Sequence, residues 1–435
     1  MKTTAFLLGA ASALGITAAA HAQSITVATV NNGDMIRMQG LTDEFNAVHP
    51  DITVNWVTLE ETLLRERVTT DIATGGGQYD IMTIGNYEVP IWAKQGWLEP
   101  LEFDADYDVD DLLPAIRGGL SVDGTLYAAP FYGESAMIMY RTDLFEEAGL
   151  EMPDSPDWDF IAEAARTLTD RDNNVNGICL RGKAGWGENM AFMSALNNSF
   201  GGKWFDENWT PQFDQPTWKE ALTFYAELMA DAGPAGASSN GFNENLTLFQ
   251  QGQCAMWLDA TVAASFVTDP ENSTVADRVG FALFPDHNDS GNHGNWLWSW
   301  NLAIPTSSQN VEAAMTFIEW ATSKDYTALV AEKEGWANVP PGTRTSLYEN
   351  PEYQEAASFA EPTLAAMNAA DITDPSVDPV PYTGGQFVAI PEFQSIGTTV
   401  GQLFSAVVAG QSSVDDALSQ AQAATEREMR RAGYN

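Results

Sequence analysis

The sequence predicts an α/β protein of two lobes, each a mainly parallel β-sheet flanked by helices, with a hinge between them. Strand and helix patterns alternate between residues 24 and 84, and such β-α-β units build parallel sheets covered by helices. A second group of strand and helix patterns begins near residue 177. About 413 residues follow an N-terminal leader, which is more than one hydrophobic core usually serves.

The first 22 residues have the pattern of a secretory signal peptide. Lys2 precedes an apolar run at 5–20, and Ala20-His21-Ala22 presents small residues where a signal peptidase cleaves. The apolar run is too short to span a membrane. A core helix is the alternative, which the polar strand pattern that follows at once disfavours. We therefore expect cleavage before Gln23 and export to the periplasm.

The first lobe begins with five alternating elements. Alternation of apolar residues predicts the strands, and apolar residues three to four positions apart predict the helices. The elements are a strand at 24–30, a helix with Met38, Leu41, Phe45 and Val48 on one face, a strand at 52–57, a helix with Leu64, Val68 and Ile72 on one face that ends at 75–77, and a strand at 79–84.

Later patterns predict the second lobe and the crossings between the lobes. The predicted strands lie at 125–140, 177–181, 255–258, 279–284 and 300–305, and the predicted helices at 141–149, 153–168, 191–200, 217–232, 246–250, 311–322 and 415–431. We expect a first lobe of 23–130 plus about 280–335, and a second lobe of about 131–279 plus 336–435. Ligands of α/β sheets bind at the carboxyl ends of strands, so two such edges form a cleft that closes on a small molecule.

Charge and cysteine content exclude several classes of function. Sixty acidic and 20 basic residues produce a formal net charge of −40, which argues against nucleic acid or an anionic membrane as a partner and favours a neutral ligand. Cys179 and Cys254 are too few for a disulfide-dense scaffold, but they can pair with each other if one lobe holds both. Neither lies in a C-x-x-C or beside a histidine cluster, so we expect no metal and no cofactor.

Several segments together resemble the family 1 extracellular solute-binding proteins of ABC importers, over essentially the whole chain after residue 22. Each segment alone is weak evidence, whereas their joint order is specific. They are Glu44-Phe45-Asn46 with 50–54, 74–81, 93–101, 139–145 with 148–150, and Trp300-Asn301-Leu302-Ala303-Ile304-Pro305. Within that family the chain is most similar to the sorbitol/mannitol (polyol) binding branch, on the segments 31–35, 177–183, 185–189 and 254–261.

This resemblance implies a periplasmic, monomeric binding protein with the two-lobed, type II-like fold. It implies that a sugar alcohol bridges the lobes, that hinge closure follows, and that the closed form docks on membrane permease subunits. No G-x-x-x-x-G-K-[ST] motif is present, so ATP hydrolysis is expected of a separate subunit.

A polyol offers hydroxyls and small apolar C–H faces, which require polar side chains and aromatic rings respectively. The resemblance and this chemistry together suggest candidates near strand ends: Asn32, Asp34, Arg65, Asn86, Tyr132, Glu134, Trp257, Asp259, Trp300, Trp336 and Arg344. Trp296 and Trp298 are weaker candidates. The alternatives are core packing for the tryptophans, helix capping for Asn32, Asp34 and Asn86, and ordinary ion pairs for the arginines.

Three other functions stay open at this point. The chain could bind a cyclic mono- or disaccharide, or it could couple ligand to a chemoreceptor without transport. A secreted carbohydrate-active enzyme is a remote alternative, in which Glu134 and Asp259 would act as acid and base. Such an enzyme requires both carboxylates on one scaffold, whereas we expect these two to face each other across the hinge.

Overall fold

The computed structural model describes residues 23–153, 155–288 and 294–434, and these form two lobes, each built on one β-sheet. The predicted signal peptide, residues 1–22, lies outside the described residues. The strands are β1 (Gln23–Val30), β2 (Ile52–Leu59), β3 (Ile81–Gly85), β4 (Ser121–Val122), β5 (Thr125–Leu126), β6 (Ala129–Glu134), β7 (Ala136–Arg141), β8 (Asn176–Cys179), β9 (Cys254–Ala260), β10 (Val279–Leu283) and β11 (Trp298–Ala303).

Helices cover both sheets. They are α1 (Gly33–Gly40), α2 (Thr42–Val48), α3 (Glu61–Thr74), α4 (Glu88–Lys94), α5 (Pro114–Gly119), α6 (Thr142–Ala148), α7 (Trp158–Leu168), α8 (Asn189–Ser199), α9 (Pro216–Ala232), α10 (Phe242–Gln250), α11 (Ala263–Val267), α12 (Val311–Thr322), α13 (Lys324–Glu334), α14 (Thr345–Tyr348), α15 (Pro351–Ala356), α16 (Ala360–Ala369), α17 (Phe393–Val408) and α18 (Val414–Ala432). Short 3-10 turns occupy Ala105–Tyr107, Val109–Asp111, Ala237–Ser239 and Trp336–Asn338.

The first sheet has the strand order β2-β1-β3-β11-β6 and the second has β10-β7-β9-β8. β1 runs parallel to β2 and β3, whereas β11 runs antiparallel to both β3 and β6. In the second sheet β8 and β9 are parallel, and β7 runs antiparallel to β9 and β10. All strands of the first sheet therefore point in one direction except β11, and all strands of the second sheet except β7. Each of these two strands is the first that the chain adds to its sheet after crossing from the other lobe. The two-lobed, mainly parallel α/β prediction is confirmed.

The first crossing between the lobes is very short. β6 ends at Glu134 in the first sheet and β7 begins at Ala136 in the second, so Ser135 alone connects them. Its backbone N–H donates to the Thr261 hydroxyl at 3.1 Å, and Asn295 donates to its side-chain oxygen at 3.2 Å. Because Thr261 and Asn295 both bond to Ser135, this single residue provides a hinge of defined position.

Two local predictions differ from the structure. The predicted first helix is two helices, α1 and α2, which separate at Leu41 because Gly40 is a poor helix former. The expected return to the first lobe near residue 280 comes later, since β10 still pairs with β7 in the second sheet. A left-handed Gly75, with φ of 61°, ends α3 as the glycine run predicts.

The second lobe is closed by a disulfide and by the C-terminal helices. Cys179 at the end of β8 is bonded to Cys254 at the start of β9, with 5.9 Å between their Cα atoms. α16 lies against β7 and β10, α17 packs beside α8, and α18 beside α9. No described helix combines the length and apolar character that crossing a membrane requires.

Candidate functional site

A cavity lies between the two lobes, at the ends of strands from both sheets. Its lining atoms surround about 450 Å³ of empty space, part of which opens to solvent. Its lining combines polar and aromatic side chains. The lining residues are Asn32, Glu61, Arg65, Glu134, Arg181, Trp186, Gly187, Ala191, Phe242, Val262, Trp296, Trp298, Trp300 and Gln386.

Arg65 lies in an aromatic cage on the first-lobe side. Its guanidinium carbon is 4.1 Å, 4.8 Å and 4.7 Å from the ring centroids of Trp186, Trp298 and Trp300. Cations at such distances are attracted to the faces of aromatic rings. Because Trp186 precedes α8 in the second lobe and the other two rings lie on β11, the cage joins the lobes.

Two carboxylates neutralise Arg65. Glu61, one helical turn earlier on α3, accepts from its Nε and Nη2 at 3.2 and 2.9 Å, and Glu88 accepts from Nη1 at 3.1 Å. Spacing by four residues places Glu61 and Arg65 on one helix face. These bonds use three of the five guanidinium N–H donors, so two remain for a ligand.

Arg181 is the corresponding cation of the second lobe. Its Nε and Nη2 donate to both carboxylate oxygens of Asp259 at 2.7 to 3.1 Å, and its Nη1 donates to the Gly187 carbonyl at 2.9 Å. Asp259 also accepts from the Trp257 indole N–H at 3.2 Å and from the Ala260 N–H at 2.7 Å. Asp259 and Trp257, which the sequence suggested as ligand contacts, therefore lie behind Arg181 and hold it in place.

Glu134, at the end of β6, is a carboxyl of the cavity that forms no ion pair with any described residue. It is 6% exposed and lines the cavity. Within the described part of the chain, its side chain makes no hydrogen bond. Burial raises the pKa of Glu134 well above its usual value, and the nearby Asp259 and Glu61 carboxylates add to that effect against Arg181 and Arg65.

Tyr132 and Asn86 do not line the cavity but bond to the segments that do. The Asn32 amide donates to the Tyr132 hydroxyl at 2.9 Å, so Tyr132 orients Asn32 rather than lining the cavity. Asn86 donates to the Leu297 carbonyl at 3.2 Å and accepts from the Ser299 N–H at 3.4 Å. It thereby holds the loop after β3 against the segment that carries Trp296, Trp298 and Trp300.

Asp34, Trp336 and Arg344 lie outside the cavity. Asp34 forms an ion pair with Arg37, and burial raises its pKa to about 6 against the opposing effect of Arg37. Trp336 opens a 3-10 turn that packs against the core. Arg344 donates to the carbonyls of Asp108 and Thr322 at 3.1 and 3.2 Å, with its guanidinium carbon 4.6 Å from the Tyr107 ring centroid. Asp34 and Arg344 form these bonds within the protein, and none of the three residues lines the cavity.

The structure brings Asn32, Arg65, Glu134 and Trp300 together in the cavity, as expected, and adds the weaker candidates Trp296 and Trp298. Sequence reasoning missed the other lining residues: Glu61, Arg181, Trp186, Gly187, Ala191, Phe242, Val262 and Gln386. Arg181 lies two residues after the end of β8, and Trp186 and Gly187 lie in a segment that carried the polyol-branch resemblance. Position after a strand end could therefore have identified Arg181.

The lobes also touch at the rim of the cavity. The Lys183 ammonium of the second lobe is 2.5 Å from Glu60 of the first lobe and 3.3 Å from Glu188. Gly187 lies so close to α3 that a β-carbon there would be 2.7 Å from the Glu61 Oε1 and 2.9 Å from the Arg65 Nη2. The two lobes are therefore in direct contact beside the cavity.

The described ranges 23–153, 155–288 and 294–434 contain no group of three or more His, Cys, Asp or Glu side chains arranged to hold a metal ion.

Residues 32–328 match the family model described as "Bacterial extracellular solute-binding protein". The mannitol-binding protein of Pseudomonas aeruginosa is 57% identical over 415 residues, which is 95% of this chain and 94% of that protein. This similarity covers both lobes.

Two solved structures show the same fold. An ABC transporter solute-binding protein from Agrobacterium vitis S4 with bound D-mannitol is 68% identical, with a TM-score of 0.94 over 95% of this chain and 99% of that chain. A solute-binding protein from Agrobacterium radiobacter K84 in complex with ribitol is 24% identical, with a TM-score of 0.82 over 93% of this chain and 98% of that chain. The second structure, at that identity, shows the fold alone.

Proposed function

Because this chain belongs to the bacterial extracellular solute-binding proteins, we propose that it is the periplasmic component of an ABC importer that captures a linear sugar alcohol, with D-mannitol as the first candidate. One observation carries this proposal: the inter-lobe cavity combines oriented arginines and amides with a wall of tryptophans. The names of the relatives that share 57% and 68% of its residues supply the candidate ligand.

The chemistry of the cavity suits a polyol. Each hydroxyl buried without a hydrogen-bond partner costs about 1–3 kcal/mol, so a polyol requires dense donors and acceptors. Arg65, Arg181, Asn32, Gln386 and Glu134 offer these groups from both lobes. The tryptophan rings of β11 offer flat apolar surface for the C–H faces of the ligand.

Ligand binding and lobe closure are coupled in this proposal. A polyol that bonds both Arg65 and Arg181 bridges the lobes, and its differential affinity for the closed form shifts the population toward that form. Ser135 and the other crossings absorb the rotation. The contacts of Lys183 with Glu60 and of Trp186 with Arg65 form only when the lobes meet.

The finer assignments follow from family membership and the N-terminal pattern. We propose cleavage of residues 1–22, with the remaining chain acting as a monomer in the periplasm. The closed form would deliver the polyol to membrane permease subunits that depend on a separate ATPase. We propose binding without catalysis, since the relatives are binding proteins by name.

Titration calorimetry of the chain from Gln23 tests the proposal. D-mannitol, D-sorbitol, D-arabitol and xylitol are compared with glucose and maltose. We expect one-to-one binding of at least one linear polyol with micromolar affinity, roughly −8 kcal/mol. Binding of a cyclic sugar alone would overturn the polyol assignment and leave the importer role.

A pair of variants connects that binding to the cavity. Arg181→Gln removes the charged donor, and we expect binding weaker by about 10- to 100-fold, because hydrogen bonds to charged groups contribute about 1.5–3 kcal/mol. Arg166→Gln is the matched control, since Arg166 pairs with Asp231 on the surface of the second lobe with both side chains about half exposed. Equal affinities of the two variants would remove Arg181 from the site.

A further inference from the structure

We propose that the inter-lobe cavity also accepts cationic amino-polyols and rejects polyol carboxylates, and that Glu134 determines this charge selectivity. The inference rests on the proposed function, because the amino-polyol would occupy the cavity assigned to the neutral polyol. It concerns the amine that replaces one terminal hydroxyl of a linear polyol.

Neither guanidinium of the cavity is available to neutralise an anion. Arg65 is bound to Glu61 and Glu88 at 2.9 and 3.1 Å. Arg181 is bound to both oxygens of Asp259. Each cation that could recognise a ligand carboxylate thus already has a buried partner, and a second carboxylate would compete with it.

Glu134 takes no part in these ion pairs. It is nine-tenths buried and lines the cavity, and its side chain makes no hydrogen bond to any described residue. The pairing of its backbone with Trp298 across β6 and β11 fixes where the side chain begins. A buried charge without a partner is costly, so a ligand cation placed there would gain more than a hydroxyl would.

Four charged groups face Glu134, and they come from three parts of the structure. Asp259 on β9 and Glu61 on α3 disfavour its ionised form, whereas Arg181 after β8 and Arg65 on α3 favour it. The phenol of Tyr132, two residues earlier on β6, also lies near it. Together with burial, these groups raise the pKa of the Glu134 carboxyl well above its usual value.

An ammonium ligand changes that pKa. With –NH₃⁺ beside it, the ionised form of the Glu134 carboxyl is stabilised, so the pKa of Glu134 falls when the amine binds and protons pass to the buffer. A neutral polyol brings no charge and has no such effect. A polyol carboxylate would place a further negative charge beside Glu134, Glu61 and Asp259 and would be repelled.

Calorimetry on the chain from Gln23 at neutral pH tests this with D-mannitol, 1-amino-1-deoxy-D-mannitol and D-mannonate, each in two buffers of different ionisation enthalpy. We expect the amine to bind with a greater release of protons than mannitol, and mannonate to bind at least tenfold more weakly than mannitol. In Glu134→Gln we expect the amine to lose about 10- to 100-fold in affinity. The same variant should lose the difference in proton release between the amine and mannitol.

Glu163→Gln, an exposed carboxylate on the outer helix α7, is the control and should leave all three titrations unchanged. Absence of mannitol binding contradicts the proposed function itself. Mannitol binding combined with no amine binding, with amine binding that releases no more protons than mannitol binding, or with equal mannonate binding contradicts this inference alone. If Glu134→Gln does not fold, the wild-type proton release decides the question.

Discussion

The Arg181 guanidinium lies between the inter-lobe cavity and the carboxylate of Asp259, and it binds both oxygens of that carboxylate at 2.7 to 3.1 Å. Both residues are buried, with 6% and 1% of their surfaces exposed. Asp259 thus acts on the ligand through Arg181, and its own oxygens are already engaged.

The first prediction concerns this pair. Asp259→Asn keeps the shape of the side chain but removes the charge that holds Arg181. Breaking a buried ion pair typically costs about 3–5 kcal/mol, so we expect the free energy of unfolding to fall by that amount. We also expect polyol affinity to fall at least tenfold. Urea unfolding and calorimetry measure the two effects.

Asp231→Asn is the control, because Asp231 pairs with Arg166 at the surface and such pairs contribute about 0–1 kcal/mol. A normal polyol affinity in a folded Asp259→Asn protein would show that the orientation of Arg181 does not matter for binding.

The second prediction concerns Gly187, where the second lobe meets α3. A β-carbon there would overlap Glu61 and Arg65, which are pinned by their ion pair. Overpacking costs about 1–3 kcal/mol, so we expect Gly187→Ala to weaken binding by about 5- to 100-fold. Because the overlap arises between the lobes, the free energy of unfolding of the ligand-free protein should change little.

Gly118→Ala is the matched control, since a β-carbon at Gly118 has no atom within 4 Å. Small-angle scattering with and without mannitol checks the cause: the Gly187→Ala protein should show a smaller decrease in radius of gyration than the Gly118→Ala protein. Identical decreases would show that the lobes close without this contact.

The third prediction separates stability from binding at Arg344. This arginine is 3% exposed, lies away from the cavity and donates hydrogen bonds to the carbonyls of Asp108 and Thr322. We expect Arg344→Ala to lower the free energy of unfolding by about 1.5–3 kcal/mol through lost charged hydrogen bonds. Polyol affinity should stay within twofold. A large loss of affinity at unchanged stability would restore Arg344 to the site.

The fourth prediction concerns pH. Burial raises the Asp34 pKa from 3.8 to about 6 in the folded protein. Between those pH values the folded protein binds more protons than the unfolded chain, so the free energy of unfolding falls as pH rises. The full cost, reached above about pH 6, is about 3 kcal/mol.

Asp34→Asn lacks this titration. Urea unfolding of both proteins from about pH 4 to pH 7 isolates the effect, because the remaining carboxyls titrate in each. We expect the wild-type free energy of unfolding, relative to that of the variant, to decrease by about 3 kcal/mol across the range. A difference independent of pH would contradict the raised pKa.

Much of the fold could be predicted because it depends on local patterns. The alternation of strand and helix in the first 85 residues predicted the parallel β1, β2 and β3. The first crossing, expected at about residues 130–131, occurs close by at Ser135. The break at Leu41 was missed because apolar spacing continues through it while the backbone does not.

The site was less predictable from the same sequence. Position after the first strand identified Asn32, and position at the first crossing identified Glu134. Arg65 was a candidate on a predicted helix, and Trp300 was identified by resemblance. Asp259 was predicted and Arg181 was not, although Asp259 lies near the end of β9 and Arg181 lies two residues after the end of β8 in the same sheet. Nothing in the order of residues shows which of the two faces the cavity.

The sequence by itself determined the two-lobed α/β fold, the family and the acidic, tryptophan-rich character of the chain, because apolar periodicity, motif order and composition are properties of short segments. Only the tertiary structure decided which polar side chains face the cavity and which stand behind it. Arg181 and Asp259, which bond to each other, are 78 residues apart in the sequence. Asn32 and Tyr132, which also bond to each other, are 100 residues apart. Hydrogen bonds of such separation exist only once the sheets have formed and packed, and they determine which donors remain for a ligand.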